Sequence, residues 1–175
     1  MVPASTPHPS PEEYLQLLYT LAEQGNGKAQ YNLGAMLLHG QGVARNDAEA
    51  ALWLRRAAEQ NIGPAQHNLA VMLLQGQGVV ADPQEAAKWF RSAAEQGDPR
   101  SQHALGALLF EGLGVESDFP QAYFWLSLAA LQAPEALREQ AGEIIRHLEE
   151  LLTSQQRQSV QHQVDLWLRK RRAQG

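Results

Sequence analysis

Trp89-Phe90-Arg91-Ser92-Ala93-Ala94-Glu95-Gln96-Gly97 decides the fold, because its frame recurs upstream. Counting back 36 residues from Trp89 reaches Trp53, which leads into Ala58-Glu59-Gln60-Asn61, and one period further back Leu17 and Leu21 lead into Ala22-Glu23-Gln24-Gly25. Working outward from this stretch, further positions recur at the same interval: Leu33, Leu69 and Leu105; Gly34, Ala70 and Gly106; Gly40, Gly76 and Gly112; Gly42, Gly78 and Gly114; Val43, Val79 and Val115; Trp53, Trp89 and Trp125. A repeat of this length marks a solenoid, in which each unit buries its apolar face against its neighbours.

Each copy reads as a helical hairpin. In the first, Lys28 to His39 carries Leu33, Met36 and Leu37 at helical spacing, and Gly40-Gln41-Gly42-Val43 then breaks the helix with glycines suited to left-handed backbone. Asn46 precedes Glu49 by three residues, Asp82 precedes Glu85 and Asp118 precedes Gln121, the spacing of a capping box. Three second helices are thus predicted near 47–60, 83–96 and 119–132. At the C-terminal end Leu148 and Glu150 replace the turn glycines, so a helix runs from about Glu135 to Leu151. Thr153 or Ser154 then caps a last helix that buries Val160, Val164, Leu166 and Trp167. The expected organisation is a disordered leader at 1–10, a half copy at 11–28, full copies at 29–64, 65–100 and 101–136, and capping helices over 137–172.

Composition excludes several classes. With 175 residues, 44% apolar and 19% charged, the chain is long enough for one continuous core and too apolar for disorder. A net charge of -5 argues against nucleic acid as the main partner. The absence of cysteine excludes disulfides, thiolate metal sites and cysteine nucleophiles. No apolar run approaches the ~20 residues of a bilayer span, and residues 1–10 lack a signal-like apolar stretch. A soluble cytoplasmic or periplasmic protein is expected.

The strings Tyr31-Asn32-Leu33-Gly34 and Gly40-Gln41-Gly42-Val43, the Ala-Ala-Glu-Gln ending and the period resemble the Sel-like repeat family, the solenoid relative of the tetratricopeptide repeat. The resemblance implies an all-α, right-handed superhelix of antiparallel helix pairs, used as an adaptor in signalling, protein quality control or bacterial host interaction. It also implies that the first helix of each pair lines a concave groove. Positions four, three and four residues apart share a helix face. They give Lys28, Asn32, Ala35 and His39 in the first copy, Pro64, Asn68, Val71 and Gln75 in the second, and Arg100, Ala104, Ala107 and Glu111 in the third. Tyr31, His67 and His103 lie beside this stripe. The tetratricopeptide relatives hold extended peptides with asparagines and basic residues at comparable positions, which Asn32 and Asn68 match. A carboxamide both donates and accepts, so it pairs with any peptide unit, while Lys28 and Arg100 suit carboxylates.

Competing readings attach to the same residues. The tryptophans read as core, and the asparagines as caps or bridges between helices. His67 and His103 occupy equivalent positions in adjacent copies, but two histidines make an incomplete metal site. No Ser-His-acid or paired-carboxylate set stands out, the Gly-x-Gly pairs are repeat turns, and no enzyme or cofactor is expected. Arg169-Lys170-Arg171-Arg172 reads as a complement to the last helix's dipole, fraying into solvent, with anionic lipid or nucleic acid as the alternative contact. The expected function is a protein-binding adaptor whose groove takes a peptide or protein segment. A small molecule such as a cell-wall fragment is the competing occupant. The expected state is a monomer, or one that self-associates weakly through its open N-terminal half copy.

Overall fold

The computed structural model describes residues 10–173, in nine α-helices and, among the described residues, no strand. They are α1 (Pro11–Glu23), α2 (Gly27–His39), α3 (Asp47–Glu59), α4 (Gly63–Gln75), α5 (Pro83–Glu95), α6 (Pro99–Glu111), α7 (Phe119–Gln132), α8 (Glu135–Leu151) and α9 (Ser154–Arg172). Three hairpins, α2–α3, α4–α5 and α6–α7, stack in sequence order, α3 on α4 and α5 on α6. The leader expected at 1–10 falls outside the described residues apart from Ser10. Ser10 belongs to the fold: its hydroxyl accepts from Glu13 N, and the Glu13 carboxylate accepts from Ser10 N.

The hairpin geometry follows from two glycines per turn. Gly40, Gly76 and Gly112 close α2, α4 and α6 in the left-handed region, with φ of 66°, 68° and 70°. The second turn glycine also serves stacking: at Gly78 a Cβ would fall inside the Asp47 backbone of the preceding copy, and at Gly114 inside that of Pro83. Within each hairpin the small residue of the first helix receives a large one from the second. A Cβ on Gly34 would lie 2.8 Å from Leu54 Cγ, and one on Gly106 would lie 2.6 Å from Leu126 Cγ.

Two expectations need correcting. Asn46, Asp82 and Asp118 do cap their helices, accepting from Glu49 N, Glu85 N and Gln121 N. The reciprocal half of the box is not formed, because the cap N–H groups donate to Leu37 O, Leu73 O and Leu109 O at the end of the preceding helix. That leaves the residue-49 and residue-85 carboxylates for other partners. The tryptophans also differ: Trp53 and Trp125 are buried, while Trp89 is only half-buried and borders an open cleft with Glu85, Lys88 and Ser92.

A row of glutamines ties each copy to the one before. Gln30, Gln66 and Gln102 are buried and donate to Ala22 O, Ala58 O and Ala94 O at the end of the preceding second helix. Gln60 and Gln96 donate in turn to Gln30 Oε1 and Gln66 Oε1, both at 2.7 Å. After α1, α3 and α5 the chain turns on a positive-φ residue, Gly25, Asn61 or Gly97. After α7 it cannot, because Pro134 forces Ala133 into extended backbone. Gln132 then donates to Leu128 O inside its own helix, and Gln102 Oε1 is left without a partner.

This break redirects the C-terminal end. Instead of pairing with α8, α9 packs against α7. The pocket at Gly142 stays open, a Cβ there meeting only Arg146 Nη1 at 3.9 Å. Val160 and Val164 are buried as expected and Trp167 partly so, but Leu166 faces solvent and Leu168 packs inward instead. The basic end does not fray: α9 continues to Arg172, and the Arg171 guanidinium lies over Trp167 and reaches Glu95 O, capping the C-terminus of α5.

Candidate functional site

The first helices carry few charges. Among the described residues α2 and α4 hold no carboxylate at all, and α6 holds only Glu111 at its last position. Lys28, Arg100, His39, His67 and His103 are the basic or titratable nitrogens of this row. The second helices are different, with Glu49, Glu59, Glu85 and Glu95 along α3 and α5.

Four of the eleven expected binding residues come together. His39 of α2 and His67, Asn68 and Val71 of α4 line one cleft of about 290 Å³, together with Leu38, Met72, Arg45 and Gln77. The last two were missed from sequence. They lie on the turn segments, where a reading by helix faces does not look. Arg45 is held by Asp47 through Nε at 2.7 Å and Nη2 at 2.8 Å, which aims its exposed guanidinium along the cleft wall. Lys28, Tyr31, Asn32, Gln75, Arg100, His103 and Glu111 do not line this cleft; they are distributed along the row, with Lys28, Asn32, Gln75, Arg100 and Glu111 exposed and Tyr31 and His103 half-buried. The Asn32 and Asn68 carboxamides make no side-chain hydrogen bond among the described residues, unlike the neighbouring Gln30 and Gln66.

His67 is committed on one side. Its Nδ1 lies 2.8 Å from Ser101 Oγ and 3.3 Å from Asp98 Oδ2, and its ring stands edge-on to Phe90. The Ser101 hydroxyl donates to Asp98 at 2.6 Å, so the neutral imidazole donates in turn to Ser101. Burial, followed by Arg100, pushes the His67 pKa below that of a free histidine, against the opposing pull of Asp98. Burial alone would raise Asp98, but the Ser101 hydroxyl, Arg100 and His67 hold it below the usual range. A serine, a histidine and an acid therefore do meet here, which sequence reading did not anticipate because they come from two copies. The wiring is unlike a hydrolytic triad: Ser101 is fully buried, and the acid bonds the serine. The three link α4 to the start of α6. Burial likewise lowers His103, whose Nε2 is buried without a partner, and no group of three or more metal-ligating side chains forms among the described residues.

A second cleft, of about 700 Å³, lies between α5, the C-terminal end of α6 and the turn into α7. Arg91, Leu109, Val115, Glu116, Ser117, Asp118 and Gln121 line it. No described helix is long and apolar enough to cross a membrane.

Comparison with known proteins agrees with this architecture. The Sel1 repeat family model matches residues 27–62, 63–98 and 99–134, the same period framed two residues earlier than copies opening at Ala29, Ala65 and Ser101. A Sel1 repeat protein of Oxalobacter formigenes is similar in structure, with a TM-score of 0.66 and 35% identity over 74% of this chain and 98% of that one. The c5321 protein, a protective antigen of uropathogenic Escherichia coli with an SLR fold, superposes with a TM-score of 0.65 and 30% identity over 92% of this chain and 42% of its own. Helicobacter pylori cysteine rich protein B shares the fold at 19% identity and a TM-score of 0.56, over 74% of this chain and 92% of that one. A comparison with curated protein sequences finds no match. With three matched copies in tandem and solved relatives of the same build, the chain belongs to the Sel1 repeat family.

Proposed function

We propose that this protein is an interaction module that holds an extended segment of a protein partner along the row α2, α4, α6, with the cleft between α2 and α4 as its anchor. Proteins of this family are in general interaction scaffolds, and the finer assignment rests on one observation. The free amide of Asn68 stands beside the apolar Leu38, Val71 and Met72 and the donors Arg45 and His39, in a cleft of about 290 Å³. That volume admits one large side chain and falls at the lower edge of ordinary small-molecule pockets, ~300–1,000 Å³, which favours a peptide over a cell-wall fragment. The lack of carboxylates on α2 and α4 suits a segment carrying acidic side chains, with Lys28 and Arg100 as flanking cations.

Affinity capture compares the intact protein with an Asn32→Ala, Asn68→Ala double variant and a Lys28→Glu, Arg100→Glu variant, all of equal helicity. A partner lost from the first variant and weakened by the second supports the groove. A partner held equally by all three refutes it.

A further inference from the structure

The third copy lacks a carboxylate that the first two possess, and two donors are left over where it would sit. In the first copy Glu49 Oε1 accepts from Tyr19 of α1 and from the Trp53 indole, both at 3.3 Å. In the second, Glu85 Oε1 accepts from the Trp89 indole at 3.1 Å and pairs with Arg55 of α3, the second helix of the preceding copy, whose Nη2 lies 3.2 Å from Oε2. One oxygen thus serves two donors, and one side chain locks two copies together. In the third copy the residue is Gln121. Its cross-copy donor, Arg91, has no ion-pair partner among the described residues, and its indole donor, Trp125 Nε1, is buried with no partner. The cleft of about 700 Å³ opens at this place, lined by both Arg91 and Gln121.

We propose that this cleft binds a carboxylate supplied by a ligand, which takes the role of Glu49 and Glu85: it pairs with Arg91 and, as Gln121 swings aside, accepts from the Trp125 indole. The site stands apart from the first-helix groove, on the side of the second helices. Two carboxylates border it, Glu116 and Asp118. Asp118 is engaged as the cap of α7, as Asp82 is beside Glu85 in the copy where the pair forms. Glu116 is exposed and screened by solvent. An arginine left with a free fork recognises a carboxylate bidentately, as Arg55 does internally.

The test uses the full chain labelled with ¹⁵N and two probes: N-acetylglutamate N′-methylamide, a side-chain carboxylate, and N-acetylalanine, a chain-terminal one. N-acetylglutamine amide is the uncharged control. The expected result is a saturable shift of the Trp125 indole N–H and Arg91 Nε–H signals with at least one acid and not with the control. Arg91→Gln should weaken it at least tenfold, and Arg55→Gln should leave it unchanged. Gln121→Glu supplies the carboxylate from within, so it should abolish the shift and raise the melting temperature by about 2–4 °C. Which probe saturates identifies the source as a side chain or a chain end. No saturable shift with either acid, equal shifts in wild type and Arg91→Gln, or a Gln121→Glu protein that melts no higher would each overturn the proposal.

Discussion

The second copy, residues 63–98, and the third, residues 99–134, share the two-glycine hairpin turn, the aspartate cap of the second helix and a buried first-helix core, yet differ in how each holds its neighbours. In the second, Glu85 locks Arg55 of the first copy and its own Trp89, Gln96 bonds Asn61 of the first copy and its own Gln66, and Gly97 turns the chain into the next hairpin. In the third, Gln121, Gln132 and Ala133 occupy those places, and all three locks are missing. The apolar core, with the Gln102–Ala94 O and His67–Ser101 bonds, is therefore enough to stack the third copy on the second, while the links made by Glu85 and Gln96 can be lost. This accords with solenoid energetics, where stability is close to a sum of unit and interface contributions.

The largest expected effect separates the stacking glycines from the merely turning ones. Gly78→Ala suffers both a left-handed backbone and a collision with Asp47, and should lose ~3 kcal/mol or more in chemical denaturation. Gly42→Ala, at φ 71° with Met36 Cε at 3.6 Å as its nearest neighbour, should lose only about 1 kcal/mol. Equal losses would mean that copy-to-copy contact at the turn is unimportant.

The glutamine row sharpens the contrast further. Gln66→Leu removes a buried, fully bonded carboxamide together with its bonds to Ala58 O, Asn61 and Gln96, so about 2 kcal/mol should go. Gln102→Leu removes a group that already has an unpaired oxygen, and should cost less than half as much in the same denaturation experiment. For the ion pair, Arg55→Gln should cost ~0.5–1 kcal/mol, reduced by solvent because both partners are about one-third exposed, whereas Arg91→Gln should fall within about 0.5 kcal/mol of wild type.

Much of this was legible in the sequence. The period, the turn glycines and the cap residues could be read because each depends on local backbone chemistry. The path of α9 was not, since it depends on Ala133 and Pro134 withholding one left-handed residue, and a helix face on α9 looks the same whichever helix it covers. The candidate groove was legible as a stripe. The cleft within it was not, because Arg45 and Gln77 arrive from turns and the Ser101–Asp98 link crosses between copies. Glu49, Glu85 and Gln121 stood in plain register, but their partners at Tyr19, Arg55 and Arg91 appear only once the copies are stacked.

The smallest expected effect concerns pH. His67 and His103 are held neutral in the folded chain with pKa values below the ~6.5 of an unfolded histidine. The unfolded chain therefore binds more protons as pH falls below about 6.5, and stability should decline with acidification from there toward the folded values, being full above that range. Denaturation midpoints at pH 7.5 and 5.5 should show the decline, and it should shrink in a His67→Gln, His103→Asn variant.

The central claim is that the extended partner segment is anchored on the first-helix row, separately from the carboxylate cleft at Arg91. Site-specific photocrosslinking tests it, with a benzophenone amino acid placed at Asn32 or Asn68 on the row, or at the exposed Leu52 of α3. Crosslinks to one partner from Asn32 and Asn68, suppressed by excess unlabelled protein and absent at Leu52, are the predicted result. Crosslinks from Leu52 with none from Asn32 or Asn68 would contradict it.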